Sequence, residues 1–377
     1  MKRSFTLASL TVAFAFAFLT APALAIEEPV EPVLIEEITL DIKEEKGFAE
    51  RVFDKVIREP KIHKFKRGPV DSFAWGVIFQ GTSDMRFTDQ DTELRTKFPM
   101  VAEIYASTKF EKGKSEFKVS SQPFRDVDDF DKKFRATFKD LFYKRKLGKH
   151  HSIIVGAARA PINQESLVSS ASTLFVKRAQ ITNTYGNQRV PGIRFQGDYG
   201  FMDFDLGGYL STRDLQDFGD GVEVISWVNF KPFHKKEGSA FKNLKFGGGV
   251  DNGKRGGRPY NVAGLGASWG YKKVFADFEC ATANGSNGAN YSPKKTQGLY
   301  TTLGYNINEK LQILGRYDVF DLDRTKSSDL KTQYTAGINY YVVGQRLKFV
   351  LNYVLEQNQA ARNNNKHAIY FMTQIQI

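Results

Sequence analysis

From Asn306 to Ile377 the chain repeats one device four times: about ten residues that alternate apolar with polar, followed by a turn. Leu311, Ile313, Tyr317 and Val319 fall on one face of the first unit, opposite Gln312, Arg316 and Asp318. Tyr334, Ala336, Ile338 and Tyr340 oppose Gln333, Thr335 and Asn339 in the second; Leu347, Phe349, Leu351 and Tyr353 oppose Lys348 and Asn352 in the third. The last unit puts Ile369, Phe371, Thr373, Ile375 and Ile377 on one side. Successive side chains of a strand point to opposite faces, so each unit reads as a strand with one greasy and one wet face. A soluble sandwich and a membrane barrel both satisfy that pattern, and the destination of the chain separates them.

The N-terminus supplies the destination. Met1-Lys2-Arg3 is a basic start, Leu7 to Thr20 is an apolar stretch too short for a comfortable membrane helix, and Ala23-Leu24-Ala25 is a small-x-small cleavage site. Residues 1–25 therefore read as a secretory signal peptide. No later stretch approaches the ~20 continuous apolar residues of a spanning helix, and the mean hydropathy of −0.40 agrees. Of the membrane-spanning forms, only a β-barrel is that polar on average. A single cysteine, Cys280, excludes an internal disulfide framework, so stability must come from a large core or a closed barrel.

Residues 26–70 form an extension before the barrel. Its first part, residues 26–50, holds nine acidic residues against Lys43 and Lys46 in a chain whose net charge is +12. Phe48, Val52, Phe53, Val56 and Ile57 have helical spacing, which suits a short amphipathic helix over 47–58 or a solvated periplasmic linker. From 71 to 377 about sixteen strands can be counted, near 72–81, 99–110, 115–121, 134–143, 151–160, 191–199, 202–212, 222–231, 243–251, 260–271, 273–283, 297–306, 310–320, 332–341, 346–355 and 367–377. Their connections alternate short with long. Gly81 to Phe98, Pro161 to Val190, Asn284 to Thr296, Asp321 to Leu330 and Glu356 to Lys366 are the long ones, apart from one overlong short-side turn at 232–242. Short periplasmic turns and long exterior loops are the rhythm of an outer-membrane barrel. The fold class expected is all-β, a transmembrane antiparallel barrel of about 16 strands.

Alternation also assigns charges to the lumen. With Phe134, Phe138 and Phe142 toward lipid, Arg135 and Lys139 face the channel; with Ile193 and Phe195 outside, Arg194 faces in. By the same logic Arg159, Arg316 and Lys348 point inward. The opposite register would place each charge in hydrocarbon at a cost of ~2–4 kcal/mol near the midplane.

Several motifs carry no chemistry. Gly248 followed by Gly253-Lys254 lacks the Ser or Thr of a phosphate-binding loop and precedes a strand rather than a helix. Asp126, Asp128, Asp129 and Asp131 lack the glycine and distal glutamate of a calcium loop, and the five histidines show no metal-ligand spacing. The basic turn around Lys144, Arg145, Lys146, Lys149, His150 and His151 reads as solvated charge. No cofactor, no metal and no nucleic-acid partner is expected. No serine with a histidine base stands out, so a barrel enzyme is a weaker reading than a pore; a structural barrel whose extension tethers the envelope is the other alternative.

The run Ile153 to Pro161 (Ile-Ile-Val-Gly-Ala-Ala-Arg-Ala-Pro), the Ser-rich loop ending Leu174-Phe175-Val176-Lys177-Arg178, and Pro191-Gly192-Ile193-Arg194-Phe195-Gln196-Gly197 together resemble the phosphate-selective porin O and P family. Gly315-Arg316-Tyr317-Asp318, Gly337 to Tyr341 and Leu351-Asn352-Tyr353 are similar to that family's C-terminal strands. Lys177 stands where the family usually has an acidic residue, and Ile377 where many outer-membrane barrels end in an aromatic. The resemblance implies a homotrimeric outer-membrane porin passing small inorganic or organic anions; phosphate specificity is not carried over. If Pro161 to Val190 folds inward as a constriction loop, its basic end places Lys177, Arg178 and Arg189 at the narrowest point, where cationic side chains favour anions. Arg178 could equally pin the loop to the wall.

Overall fold

In the computed structural model the described residues are 62–65, 68–88, 92–125, 137–186, 189–211, 221–288, 291–361 and 365–377. A short strand, β1 (Ile62–Lys64), precedes sixteen that close on themselves: β2 (Val70–Thr88), β3 (Thr92–Phe110), β4 (Ser115–Arg125), β5 (Thr137–Leu147), β6 (His151–Arg159), β7 (Arg189–Asp198), β8 (Met202–Leu210), β9 (Val222–Phe230), β10 (Lys245–Arg255), β11 (Arg258–Tyr271), β12 (Val274–Asn287), β13 (Tyr291–Asn306), β14 (Leu311–Asp321), β15 (Leu330–Val343), β16 (Leu347–Asn358) and β17 (Lys366–Gln376). Each pairs antiparallel with its sequence neighbours, and β17 pairs with β2 to complete the barrel. Closure removes every sheet edge, which is what allows strands to cross hydrocarbon.

All sixteen expected strands are present, which is the expected fold class of a 16-strand transmembrane antiparallel barrel. The alternation that marked them sorts the side chains as a membrane barrel requires. Ile313, Tyr317, Tyr334, Ile338, Tyr340, Leu351, Tyr353 and Phe371 are each 40–45% exposed on the outer face, whereas Gln312, Arg316, Asp318, Asn339, Lys348, Asn352 and Gln374 are buried inside. An apolar exterior over a polar interior is a lipid-facing belt, and the chain is an outer-membrane β-barrel.

The structure corrects the sequence reading in four places. Gly81 to Phe98 is not a long loop, because β2 runs to Thr88 and β3 starts at Thr92. Asn284 to Thr296 is likewise mostly strand, with β12 ending at Asn287 and β13 starting at Tyr291. Phe142 does not face lipid. Lys139 and Asp140 of β5 together oppose the single residue Ser120 of β4, a bulge that shifts the alternation by one. Phe138 (55% exposed) and Leu141 (39%) therefore point out, while Phe142 sits opposite Lys118 with its ring under that ammonium. Fourth, β1 continues the line of β17 along β2: Ile377 exchanges two backbone hydrogen bonds with Val77, and Ile62 to Lys64 then pair with Ala74 to Ser72. The signal peptide, the 47–58 helix, the Asp126–Asp131 cluster, Phe134 and Arg135 lie outside the described residues.

Glycine-rich β10 has a packing reason. Trp227 of β9 is 1% exposed and lies flat on the inner wall. A Cβ on Gly247 would meet Trp227 Cζ2 and Nε1 at 2.8 Å, and one on Gly249 would meet Trp227 Cε3 at 2.6 Å. The indole occupies the space those side chains would need. Gly256 and Gly257, both at positive φ (55° and 76°), make the tight turn from β10 to β11, so Gly253-Lys254 sits in a hairpin and not before a helix.

Candidate functional site: the inward loop and the lumen wall

The connection from β6 to β7 turns into the barrel instead of away from it. Its first turn is a helix, α1 (Gln164–Leu167), started by a reciprocal cap in which Asn163 Oδ1 accepts from the Ser166 N–H (3.0 Å) and the Asn163 N–H donates to Ser166 Oγ (3.2 Å). Ala160, Ile162, Ala179, Ile181 and Tyr185 of the loop then pack on Tyr209, Ile225, Val262, Ala281, Tyr300 and Phe320 of the inner wall. Burying that apolar side holds the loop against β8–β14.

Polar anchors complete the attachment. Glu279 of β12, 1% exposed, accepts from the backbone N–H groups of Gln164 and Glu165, from the Asn163 amide (3.3 Å) and from the Tyr300 hydroxyl (2.6 Å). Asp318 of β14 accepts from the Gln180 N–H (2.8 Å) and side-chain amide (3.2 Å). Asn352 Oδ1 accepts from the Val176 N–H (2.8 Å), and the Asn339 amide donates to Leu174 O (3.0 Å). Lys348 Nζ donates to Ala171 O (2.8 Å), Thr173 O (3.1 Å) and Gln345 Oε1 (2.9 Å). Arg316 donates to Lys177 O (3.0 Å), lies 3.5 Å from Glu165 Oε1 and stacks on the Phe175 ring at 4.6 Å.

The sequence-derived site residues fall into three groups. Arg316 and Lys348 are wall residues engaged with the loop, and Arg178, buried within it, donates to the carbonyls of Glu165 and Val168. Lys177 beside it is exposed, with its ammonium 4.5 Å from the centre of the Tyr370 ring. Arg194 is spatially separate: it forms a two-pronged pair with Asp205 and donates to Arg159 O (2.8 Å). The third group gathers on β3–β7. Lys139 pairs with Glu103 at 3.5 Å; Arg189 and Lys118 share Asp140 at 2.8 and 3.1 Å. Arg159 donates to Ser166 O (3.0 Å) and Val168 O and lies within electrostatic reach of both Arg178 and Arg189.

Sequence reasoning missed Lys118, Glu103, Asp140 and Glu279. For Glu279 a signal existed: a carboxylate that alternates with the outward Val274, Ala276, Phe278 and Cys280 of β12. Toward the short-turn end lies a cavity of about 320 Å³, lined among others by Lys144, His150, Arg194, Asp198, Asp203, Asp205 and Trp227. It carries both signs of charge. No group of residues with metal-ligating geometry occurs among the described residues.

Comparison with known proteins gives a consistent picture. The family model described as phosphate-selective porin O and P matches residues 236–377. No curated protein sequence matches the chain. Among solved structures, OmpF of Salmonella typhi in complex with daunomycin superposes with a TM-score of 0.64 at 13% identity, covering 84% of this chain and 100% of that one. The outer-membrane channel DcaP of Acinetobacter baumannii gives 0.59 at 11% identity, covering 84% and 99%. OprB of Pseudomonas putida gives 0.57 at 7% identity, covering 81% and 94%. The family match over residues 236–377 and the 16-strand barrel are both features that outer-membrane porins share.

Proposed function

We propose that this porin passes small anionic solutes by diffusion, and that its preference for anions arises at the wall formed by β4–β7 rather than at the buried tip of the loop. The observation that carries the reading is charge. Lys118, Lys139 and Arg189 gather there around Asp140 and the neighbouring Glu103 of β3, Arg159 and the loop's Arg178 lie within electrostatic reach of Arg189, Lys144 faces Glu116, and Glu165 stands behind the loop. Lys118, Lys139 and Arg189 keep part of their side chains accessible (33%, 16% and 16%). A net positive, partly wetted wall inside a low-dielectric barrel lowers the barrier to anions and raises it to cations.

Lys177, exposed on the loop, adds to that field, and Arg194 belongs to the same set of inward cations. Arg316 and Lys348 contribute by holding the loop in place. The name of the matched family accords with oxyanions such as phosphate as permeants, and a trimer is the assembly such porins commonly adopt. The test is the reversal potential of the purified protein in a planar bilayer across a potassium chloride gradient. Anion preference supports the reading, and cation preference overturns it.

A further inference from the structure

The outer face of β10–β13 breaks the apolar belt. Asn252 of β10 lies opposite Asn261 of β11, Asn261 opposite Asn284 of β12, and Asn284 opposite Lys295 of β13, so four polar residues form one row across four strands. The row is outward-facing: Asn252 shares its side of β10 with Val250 (37% exposed), and Asn252, Asn284 and Lys295 are exposed. The next outward row, toward the membrane, is Val250, Ala263, Thr282, Gln297 and Asp321. Only below it do Leu265 (58% exposed), Leu303 (56%) and Ile313 (43%) resume the belt. On the adjacent β9 the belt instead continues upward through Val224 and Val222, at 51% and 67% exposure, so the polar face is a local notch.

A guanidinium is laid into this notch. Arg324, from the loop after β14, reaches back across β13 and donates to Thr282 Oγ1 at 2.6 Å, while its N–H donates to Lys295 O at 2.7 Å. Two exposed cations, Arg324 and Lys295, thus stand together at the β13 end of a strip of carboxamides on the long-loop side of the belt. Asp321 faces them with Asp329 within its electrostatic reach, and Gln297 donates to Asp321 at 3.4 Å.

We propose that this notch binds the headgroup of a phosphorylated glycolipid of the outer leaflet. The guanidinium and ammonium match phosphate oxygens, and the carboxamides match sugar hydroxyls. The continuous apolar wall below receives the acyl chains, so one ligand satisfies both halves of the face. Basic pockets beside a membrane-spanning surface recognise lipid headgroups by the same chemistry.

The test uses the full-length protein in detergent, with native mass spectrometry of its complexes with a bisphosphorylated glycolipid and with the same glycolipid stripped of phosphate. Wild type should bind the phosphorylated form, and the Lys295→Glu/Arg324→Glu double variant should bind it on the order of tenfold more weakly. Lys235→Glu, on a turn at the opposite end of the barrel, should bind as wild type does. Inorganic phosphate at millimolar concentration should not compete. Equal binding by wild type and the double variant overturns the proposal, as does equal binding of the stripped glycolipid or displacement by inorganic phosphate. A double variant that loses oligomeric state while keeping glycolipid also overturns it, because the face is then a contact between copies. If the double variant does not form a heat-modifiable barrel, Arg324→Ala decides by the same comparison.

Discussion

Lys348→Met separates the stability of the barrel from the attachment of its loop. Lys348 is fully buried on β16 and its ammonium has no carboxylate partner among the described residues, donating instead to Ala171 O, Thr173 O and Gln345 Oε1. A methionine of similar length removes a buried charge, which by itself is neutral or stabilising. It also strips donors from the loop. Ala171 O keeps the Gln374 amide at 2.9 Å, so Thr173 O is the one loop carbonyl left without a described donor. A dry, orphaned carbonyl costs about 1–3 kcal/mol. At 1.4 kcal/mol per tenfold, the detached loop should become roughly 5- to 150-fold more populated. The barrel's melting temperature should hold or rise while open-state current noise in single-channel recordings increases. Noise and conductance identical to wild type in a folded barrel would refute the reasoning, since the ammonium would then contribute nothing to holding the loop. Gln374→Ala added to Lys348→Met should increase the noise further, because Ala171 O then loses its remaining donor as well.

Glu279→Leu removes the acceptor shared by Gln164, Glu165, Asn163 and Tyr300, so protease added to the detergent-solubilised protein should cut between Pro161 and Gly186 faster; unchanged cleavage would show the apolar packing suffices. Gly249→Val drives a side chain into Ser226 O and the Trp227 ring and should abolish the heat-modifiable band; because the backbone contact persists, Trp227→Ala should not restore it, and recovery would mean the indole alone sets the limit. Lys118→Gln with Lys139→Gln removes two charges from the β4–β5 wall. At ~8 Å in water each is worth ~0.5 kcal/mol to a passing ion, unfavourable to potassium and favourable to chloride, so chloride permeation should fall about fivefold, potassium permeation should rise about as much, and their ratio should fall about thirtyfold. Lys326→Glu, in the exposed loop after β14, should change it far less, and the reverse ordering would move the selective wall elsewhere.

The barrel was legible because hydrocarbon enforces a two-residue period on every crossing strand, and that period survives in the sequence from Asp71 to Ile377. Where hydrocarbon stops, so does the signal. The upper parts of β2 and β3 carry Ser83, Asp84, Arg86, Glu93 and Arg95, which read as loop although the ladder continues through them, since water tolerates either face. The bulge at Lys139 and Asp140 escaped for another reason: an extra residue flips Phe142 inward without altering composition. Alternation fixes which face a residue takes but not its partner, so the inward placement of Arg316 and Lys348 could be read while their attachment to the loop could not.

Those attachments follow from the backbone of the loop. An irregular segment inside a barrel must find a partner for each N–H and C=O it carries away from water. The side of this loop facing β14–β17 presents carbonyls at Ala171, Thr173, Leu174 and Lys177, which the wall answers with the donors Lys348, Gln374, Asn339 and Arg316, and one N–H, at Val176, which it answers with the neutral acceptor Asn352. The segments at Gln164 and Glu165 and at Gln180 present N–H groups, and there the wall supplies acceptors, Glu279 and Asp318. The sign of a lumen charge that meets the loop backbone thus follows the polarity of the peptide group it meets. A count of inward cations therefore overstates the positive field acting on a solute, because a cation that meets a carbonyl is covered by the loop it holds. The cations that remain to act on a solute are those whose partners are few and whose side chains stay wet, which is why Lys118, Lys139 and Arg189, rather than Arg316 or Lys348, are the positions at which neutralisation should change selectivity without first freeing the loop.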